Sequence, residues 1–178
     1  MERSPNLSAV FKTLQDMMAK RVISSYAVGG AVAAIFYIEP RETFDLDIFF
    51  ILSREPSNEF LRLEAIYEYA RQHGFKVHAE FVEIYGWAVQ FLEGYNSLRK
   101  EAIEDAIELD FEDVTARVIS PEYLAAMMVE TGRRKDWLRL SDFLEAEVLD
   151  FERFLKVLQK HDLEDKWNKN KWRVTDDV

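Results

Sequence analysis

The sequence predicts an α+β fold: a mixed sheet of four to five strands with flanking helices, then a C-terminal half built of helices alone. Three observations carry this expectation. Segments with strand and helix periodicity interleave up to residue 120, and only helical periods follow Pro121. Hydrophobic residues fill 48% and aromatic residues 13% of 178 positions, enough for a sizeable core. There are only 6 Gly and 4 Pro and no low-complexity tract, so most of the chain should be ordered. The expected division is an α/β core over 1–120 with the helices of 121–178 packed on it.

Each element has a local reason. Leu7 to Arg21 carries Val10, Phe11, Leu14, Met17 and Met18 at helical spacing. Tyr26-Ala27-Val28 is a short strand ended by Gly29-Gly30. Ala31 to Ile38 is apolar nearly all round, which predicts a buried helix, and Pro40 stops it. Asp45 to Leu52 is a strand whose later half is apolar on both faces, the mark of a central position. Asn58 to His73 reads as a helix capped by Gly74. Val77–Ile84 and Trp87–Leu92 read as a hairpin turning at Tyr85-Gly86. Leu98–Ile107 reads as a helix and Val114–Ile119 as the last strand. Ser120-Pro121-Glu122 is a helix start, followed by helices over 121–131, 134–147 and 150–161.

Composition excludes several functions. The net charge of -10 argues against coating nucleic acid through the overall field, though not against a local basic groove. Cysteine is absent, so disulfides, thiolate catalysis and cysteine-based zinc sites are ruled out. Met1-Glu2-Arg3-Ser4-Pro5-Asn6 lacks the apolar run of a signal peptide, and no segment reaches bilayer-spanning length. A cytoplasmic location without membrane contact is expected.

The chemistry concentrates between residues 28 and 50. A strand repeats every two residues, so Asp45 and Asp47 point to the same side. Two acids side by side on a strand of Leu, Ile and Phe repel each other, and a cation between them relieves this. Gly29-Gly30 opens a helix N-terminus, where backbone N–H groups can meet a phosphate. The alternative for the glycines is a tight turn with close packing of helix on strand. Phosphate and divalent-metal sites together suit phosphoryl or nucleotidyl transfer.

The same residues resemble a known superfamily. Val28-Gly29-Gly30-Ala31 followed by Asp45-Leu46-Asp47 resembles the polymerase-beta-like nucleotidyltransferases. Arg41-Glu42-Thr43, the segment Ser120-Pro121-Glu122-Tyr123-Leu124 and the run Gly132-Arg133-Arg134-Lys135-Asp136 extend the likeness to small bacterial nucleotidyltransferases related to the AbiEii toxins, over roughly residues 8–145. The resemblance implies that Asp45 and Asp47 are catalytic and hold Mg²⁺ or Mn²⁺, and that Gly29 and Gly30 let the backbone approach a nucleoside triphosphate. It places Arg41, Thr43 and Lys135 near the nucleotide. For Arg41 a pairing with Glu39 or Glu42 stays open, and for Lys135 a surface salt bridge. The acceptors it implies are tRNA, a protein side chain or a small molecule, with an antitoxin as partner if the chain is the toxin of a toxin–antitoxin pair.

One departure bears on activity. The family's third acid falls, by position, on Gln90, which can neither supply negative charge nor accept a proton. Glu80, Glu83 or Glu93 stands in, or the fold has become a binding protein with weak or lost turnover. A third class, an interaction protein, rests on the Met- and Phe-rich C-terminal helices. His73, His78 and His161 have no metal or triad spacing, and Met127 and Met128 read as helical core. The tail Lys166-Trp167-Asn168-Lys169-Asn170-Lys171-Trp172-Arg173 resembles a stacking and phosphate-binding patch, but docking of its Trp residues on the body is favoured.

Overall fold

A computed structural model of the chain describes residues 5–39, 43, 45–53 and 63–175. The chain runs α1 (Leu7–Ala19), β1 (Ile23–Val28), α2 (Gly30–Ala34), β2 (Asp45–Leu52), α3 (Glu64–Gln72), β3 (Lys76–Val77), β4 (Val82–Ile84), β5 (Trp87–Glu93), α4 (Ser97–Glu104), β6 (Ile107–Phe111) and β7 (Val114–Val118). It ends with α5 (Pro121–Thr131), α6 (Arg134–Glu145), α7 (Phe151–Lys160), α8 (Glu164–Asn170) and α9 (Trp172–Thr175).

The strands form one sheet in the order β3-β4-β5-β2-β1-β7-β6. β2 lies antiparallel to β1 and parallel to β5, and β1 lies parallel to β7, so the sheet is mixed. The order of elements is the α+β arrangement expected, but among the described residues the sheet has seven strands rather than four to five. Two local events account for the excess. The segment 77–84 does not run straight: Lys76–Val77 folds back antiparallel on Val82–Ile84. Ile107 does not end a helix but begins β6, which pairs antiparallel with β7 across Glu112-Asp113. Glu112 adopts the left-handed conformation there (φ 52°). The alternation Ile107, Leu109, Phe111 was hidden because β6 is an edge strand, half exposed and interrupted by two acids.

Burial explains the centre of the sheet. Leu46, Ile48 and Phe50 of β2 are fully buried, as are Tyr26, Ala27 and Val28 beside them. α5 is buried on almost every side, with Tyr123, Leu124, Ala125, Ala126, Met128 and Val129 in the core. Its ends agree with the sequence: Pro121 sits in the first turn, and Gly132 closes the helix at φ 69°, donating its N–H to the Met128 carbonyl at 2.8 Å. Helices α6, α7 and α8 meet in an aromatic cluster: Trp167 lies 6.5 Å from Trp137 and edge-on to Phe154 at 5.3 Å. Trp167 of the tail therefore docks on the body, whereas Trp172 stays exposed beside Arg173. The expected helix over 58–73 is seen from Glu64 to Gln72, and residues 58–62 lie outside the described set. Among the described residues no helix is long and apolar enough to cross a membrane.

The aromatic cluster should anchor the helical half. Phe154 is fully buried, and Phe154→Ala is expected to cost about 3–5 kcal/mol. A urea unfolding curve reads this directly, and a loss below about 1 kcal/mol would show that α7 is not anchored through this ring.

Candidate functional site

The site begins where β1 ends. Gly29 is extended, and its N–H donates to the Asp47 carbonyl at 2.9 Å. Gly30 turns the chain into α2 with φ +60°. A Cβ on Gly30 would lie 1.9 Å from Oδ2 of Asp47, so the missing side chain is the space that the carboxylate occupies. Gly29 has its own reason: a Cβ there would lie 2.4 Å from the Phe49 ring. Close packing thus explains both glycines. Gly30 also borders a cleft of about 630 Å³, so this packing and a role beside a ligand are compatible.

Asp45, Asp47 and Phe49 line this cleft from β2, and Gln90 and Leu92 from β5. The parallel register puts Asp47 opposite Gln90 and Phe49 opposite Leu92. The opposite wall is α5 and α6. It contributes Leu124, Met127 and Met128 on the apolar side and Arg133, Lys135 and Arg139 on the charged side. Met127 and Met128 therefore serve the core and also wall the cleft.

The electrostatics centre on Asp47. Burial pushes its carboxyl pKa up from the ordinary value, and the charge of Asp45 pushes it further. Lys135, then Arg139 and Arg133, pull it back down from across the cleft. Arg133 is already engaged: its guanidinium donates to both carboxylate oxygens of Asp136, at 2.8 and 3.1 Å. The same carboxylate accepts the Arg133 backbone N–H, closing the start of α6. Asp136 is buried and serves as the helix N-terminal acid. Lys135 and Arg139 make no ion pair among the described residues. They sit four residues apart on one helix face.

The structure thus brings Gly30, Thr43, Asp45, Asp47 and Lys135 to one cleft. Gly29 lies just behind it, and Arg41 lies outside the described residues. The Thr43 hydroxyl donates to the Asp45 carbonyl at 3.2 Å and so braces the entry to β2. Gln90 does stand beside Asp47. Of the three glutamates that might replace a third acid, Glu83 is tied to Lys76 at 3.3 Å, and neither it nor Glu80 borders the cleft. Glu93 does border it. Sequence reasoning missed Arg139, although its position one turn after Lys135 is a legible signal.

A divalent ion fits the donors present. Among the described residues no three His, Asp or Glu side chains converge; Asp45 and Asp47 are the carboxylate pair that could hold an ion at the cleft. Two carboxylates with the remaining positions left to phosphate oxygens and water is the donor set that Mg²⁺ prefers. His73, His78 and His161 take no part: His73 stacks on Tyr69, His78 stacks on Phe81, and His161 is held 2.9 Å from Glu101.

No protein-family model matches the chain, and no curated protein does. Solved structures do match. One is the antibiotic-resistance factor ANT(2'')-Ia, at 14% identity and TM-score 0.56, covering 93% of this chain and 96% of that one. Another is an antigenic nucleotidyltransferase-like protein from Paracoccidioides brasiliensis, at 13% identity and TM-score 0.55, covering 91% of this chain and 92% of that one. At these identities the likeness is one of fold, and the fold is nucleotidyltransferase-like. The narrower AbiEii-type resemblance is not carried by these comparisons.

Two outcomes test the geometry. Gly30→Ala combines the left-handed backbone with a clash on Asp47, and should cost at least about 1–2 kcal/mol in urea unfolding. A folded variant of unchanged stability would refute the close approach. Asp47→Asn removes a carboxylate whose folded-state pKa is raised, so ionisation of Asp47 costs stability. That cost is absent below the unfolded value, near about 3.9, grows as pH rises through the folded pKa, and is complete above it. The variant should therefore melt a few degrees higher at pH 7, at about 2–4 °C per kcal/mol, and the gain should vanish near pH 3–4. A lower Tm at neutral pH would contradict this.

Proposed function

We propose that this chain is a nucleotidyltransferase, moving a nucleotidyl group from a nucleoside triphosphate to an acceptor hydroxyl. The observation that carries the reading is the convergence in one cleft of Asp45 and Asp47 with Lys135 and Arg139. The nucleotidyltransferase-like fold supports it. Paired acids with no cation between them are costly, and cations left unpaired across a cleft favour an anion with several charged oxygens. A metal-bound triphosphate relieves both at once.

Asp45 and Asp47 would hold Mg²⁺ or Mn²⁺. When bound, such an ion neutralises the charge that builds on phosphoryl oxygens during in-line attack. Lys135 and Arg139 supply positive charge to the phosphates from the facing wall. Arg133, fixed by Asp136, keeps α6 in the orientation that presents them. The transfer joins the acceptor oxygen to the α-phosphorus and releases pyrophosphate. Glu93 also borders the cleft, and in this reading its carboxylate takes the acceptor's proton. RNA, a protein side chain and a small molecule are the acceptor classes to test. A toxin role with a partner antitoxin is a further proposal that rests on the sequence resemblance alone.

Gln90 favours a second reading, in which the cleft binds nucleotide with weak or no turnover. One experiment separates them: incubation with labelled nucleoside triphosphates, Mg²⁺ or Mn²⁺ and each acceptor class, alongside calorimetry. The transferase reading expects labelled product that falls by about 10²–10³-fold in Asp47→Ala. Metal-independent nucleotide binding, unaffected by Asp47→Asn and without product, would instead establish the second reading.

Metal binding should also follow pH. A carboxylate must be ionised to bind a metal, and Asp47 ionises only above its raised pKa. The Tm gain from Mg²⁺ with nucleotide is therefore expected to grow as pH rises through that value. A gain that is flat with pH would exclude Asp47 as a ligand.

A further inference from the structure

At the far end of the cleft from Gly30, the chain leaves β5 through a sharply pinned corner. The Gly94 N–H donates to the Phe50 carbonyl at 3.0 Å and the Tyr95 N–H to the Glu93 carbonyl at 2.9 Å. A Cβ on Gly94 would lie 2.9 Å from Ile103, so α4 packs tightly against this corner. Asn96 then caps α4 by accepting the Arg99 N–H at 2.9 Å.

This corner presents Tyr95 at the cleft with 72% of its surface exposed, an unusual state for a large ring in a cleft also lined by Leu92, Leu124 and Met127. The ring is nevertheless held. The Arg99 guanidinium lies over it, 4.6 Å from the centroid. Arg99 is itself fixed by Glu130 of α5 at 2.5 Å, and Asn96 donates to the other Glu130 oxygen at 2.8 Å. Lys166 of α8 donates to the Glu130 carbonyl. The charge of Arg99 is thus already neutralised, which makes it a support for the ring rather than a phosphate ligand.

We infer that Tyr95, positioned by Arg99 and Glu130, is a stacking platform for the base of the bound nucleotide. The inference rests on the nucleotide-site reading above and adds which end of the cleft takes the base. Spacing agrees with it. Asp47 and Phe50 are three strand steps apart, about 10 Å at about 3.3 Å per residue, and Gly94 is bonded to Phe50. That separation places a ribose and phosphate between the acid pair and the ring. One ring face meets the guanidinium, and the high exposure leaves the other for a planar aromatic group. Stacking does not read hydrogen-bond edges, so all four bases should use the platform.

Calorimetry with two ligands tests it: MgATP, and magnesium tripolyphosphate, which lacks base and sugar. Tyr95→Ala is expected to weaken MgATP by about 5- to 150-fold, equivalent to about 1–3 kcal/mol, and to leave tripolyphosphate unchanged. Tyr95→Phe should retain wild-type affinity. Tyr95→Leu, which keeps apolar bulk without a ring, should behave as Tyr95→Ala and serves if the alanine variant folds poorly. Unchanged MgATP affinity in the ring-free variants, or equal losses for both ligands, would overturn the platform. Wild-type protein that binds tripolyphosphate as tightly as MgATP would overturn it while leaving the phosphate and metal site standing. Binding of neither ligand would overturn both.

Discussion

The carboxylate of Asp47 fills the space where a side chain on residue 30 would be, and the rest of the site is arranged around that contact. The contact is unfavourable taken alone. It sets a partly buried charge beside a second acid, Asp45, on an otherwise apolar strand. Three cations reached across the cleft from α6 offset it in part. A group held in a form that costs stability, in a cleft and facing two cations that make no ion pair among the described residues, is an arrangement typical of functional sites. The sheet and the C-terminal helices are therefore coupled electrostatically through a cleft and not only through apolar packing.

That coupling depends on α5 as a spacer. Its nearly complete burial fixes its place against the sheet, and Gly132 fixes where it stops. The next residue begins the turn in which Arg133 and Asp136 satisfy one another. With those two charges engaged, Lys135 and Arg139 are left facing β2. The other side of α6 is held by Trp137, whose indole N–H donates to the Gly132 carbonyl at 3.1 Å and whose ring meets Trp167. The tail thus packs against the helix that carries these cations. Lys166 adds a second tie, reaching the Glu130 carbonyl at the end of α5.

Gln90 gives the cleft its particular chemistry. As the register partner of Asp47 it occupies the place where a third acid would deepen the negative charge. An amide there lowers the repulsion that two neighbouring acids already impose. It also leaves that position on the floor without a carboxylate. The cleft is graded along the sheet: the acids, the Gln90 amide and the facing cations near Gly30, Phe49 and Leu92 in the middle, and an aromatic ring with its supporting guanidinium at the end of β5.

Much of this was legible from residues near one another in the chain. Alternation placed Asp45 and Asp47 on one face, the Pro121 and Gly132 signals bounded α5 to the residue, and the apolar run after Asp47 marked a central strand. These are properties of local backbone geometry, which adjacent residues set. The edge strands β3 and β6 were not legible, because edge positions are half exposed and leave only a weak apolar period. The tight turn at Gly30 was legible, but not that its missing side chain makes room for a carboxylate seventeen positions later. Local sequence determined the elements and the acid pair. Only the tertiary structure decided that α6 turns Lys135 and Arg139 toward that pair and that Tyr95 borders the same cleft, since the facing of two elements depends on which surfaces pack against a shared core, and no short stretch of chain contains that information.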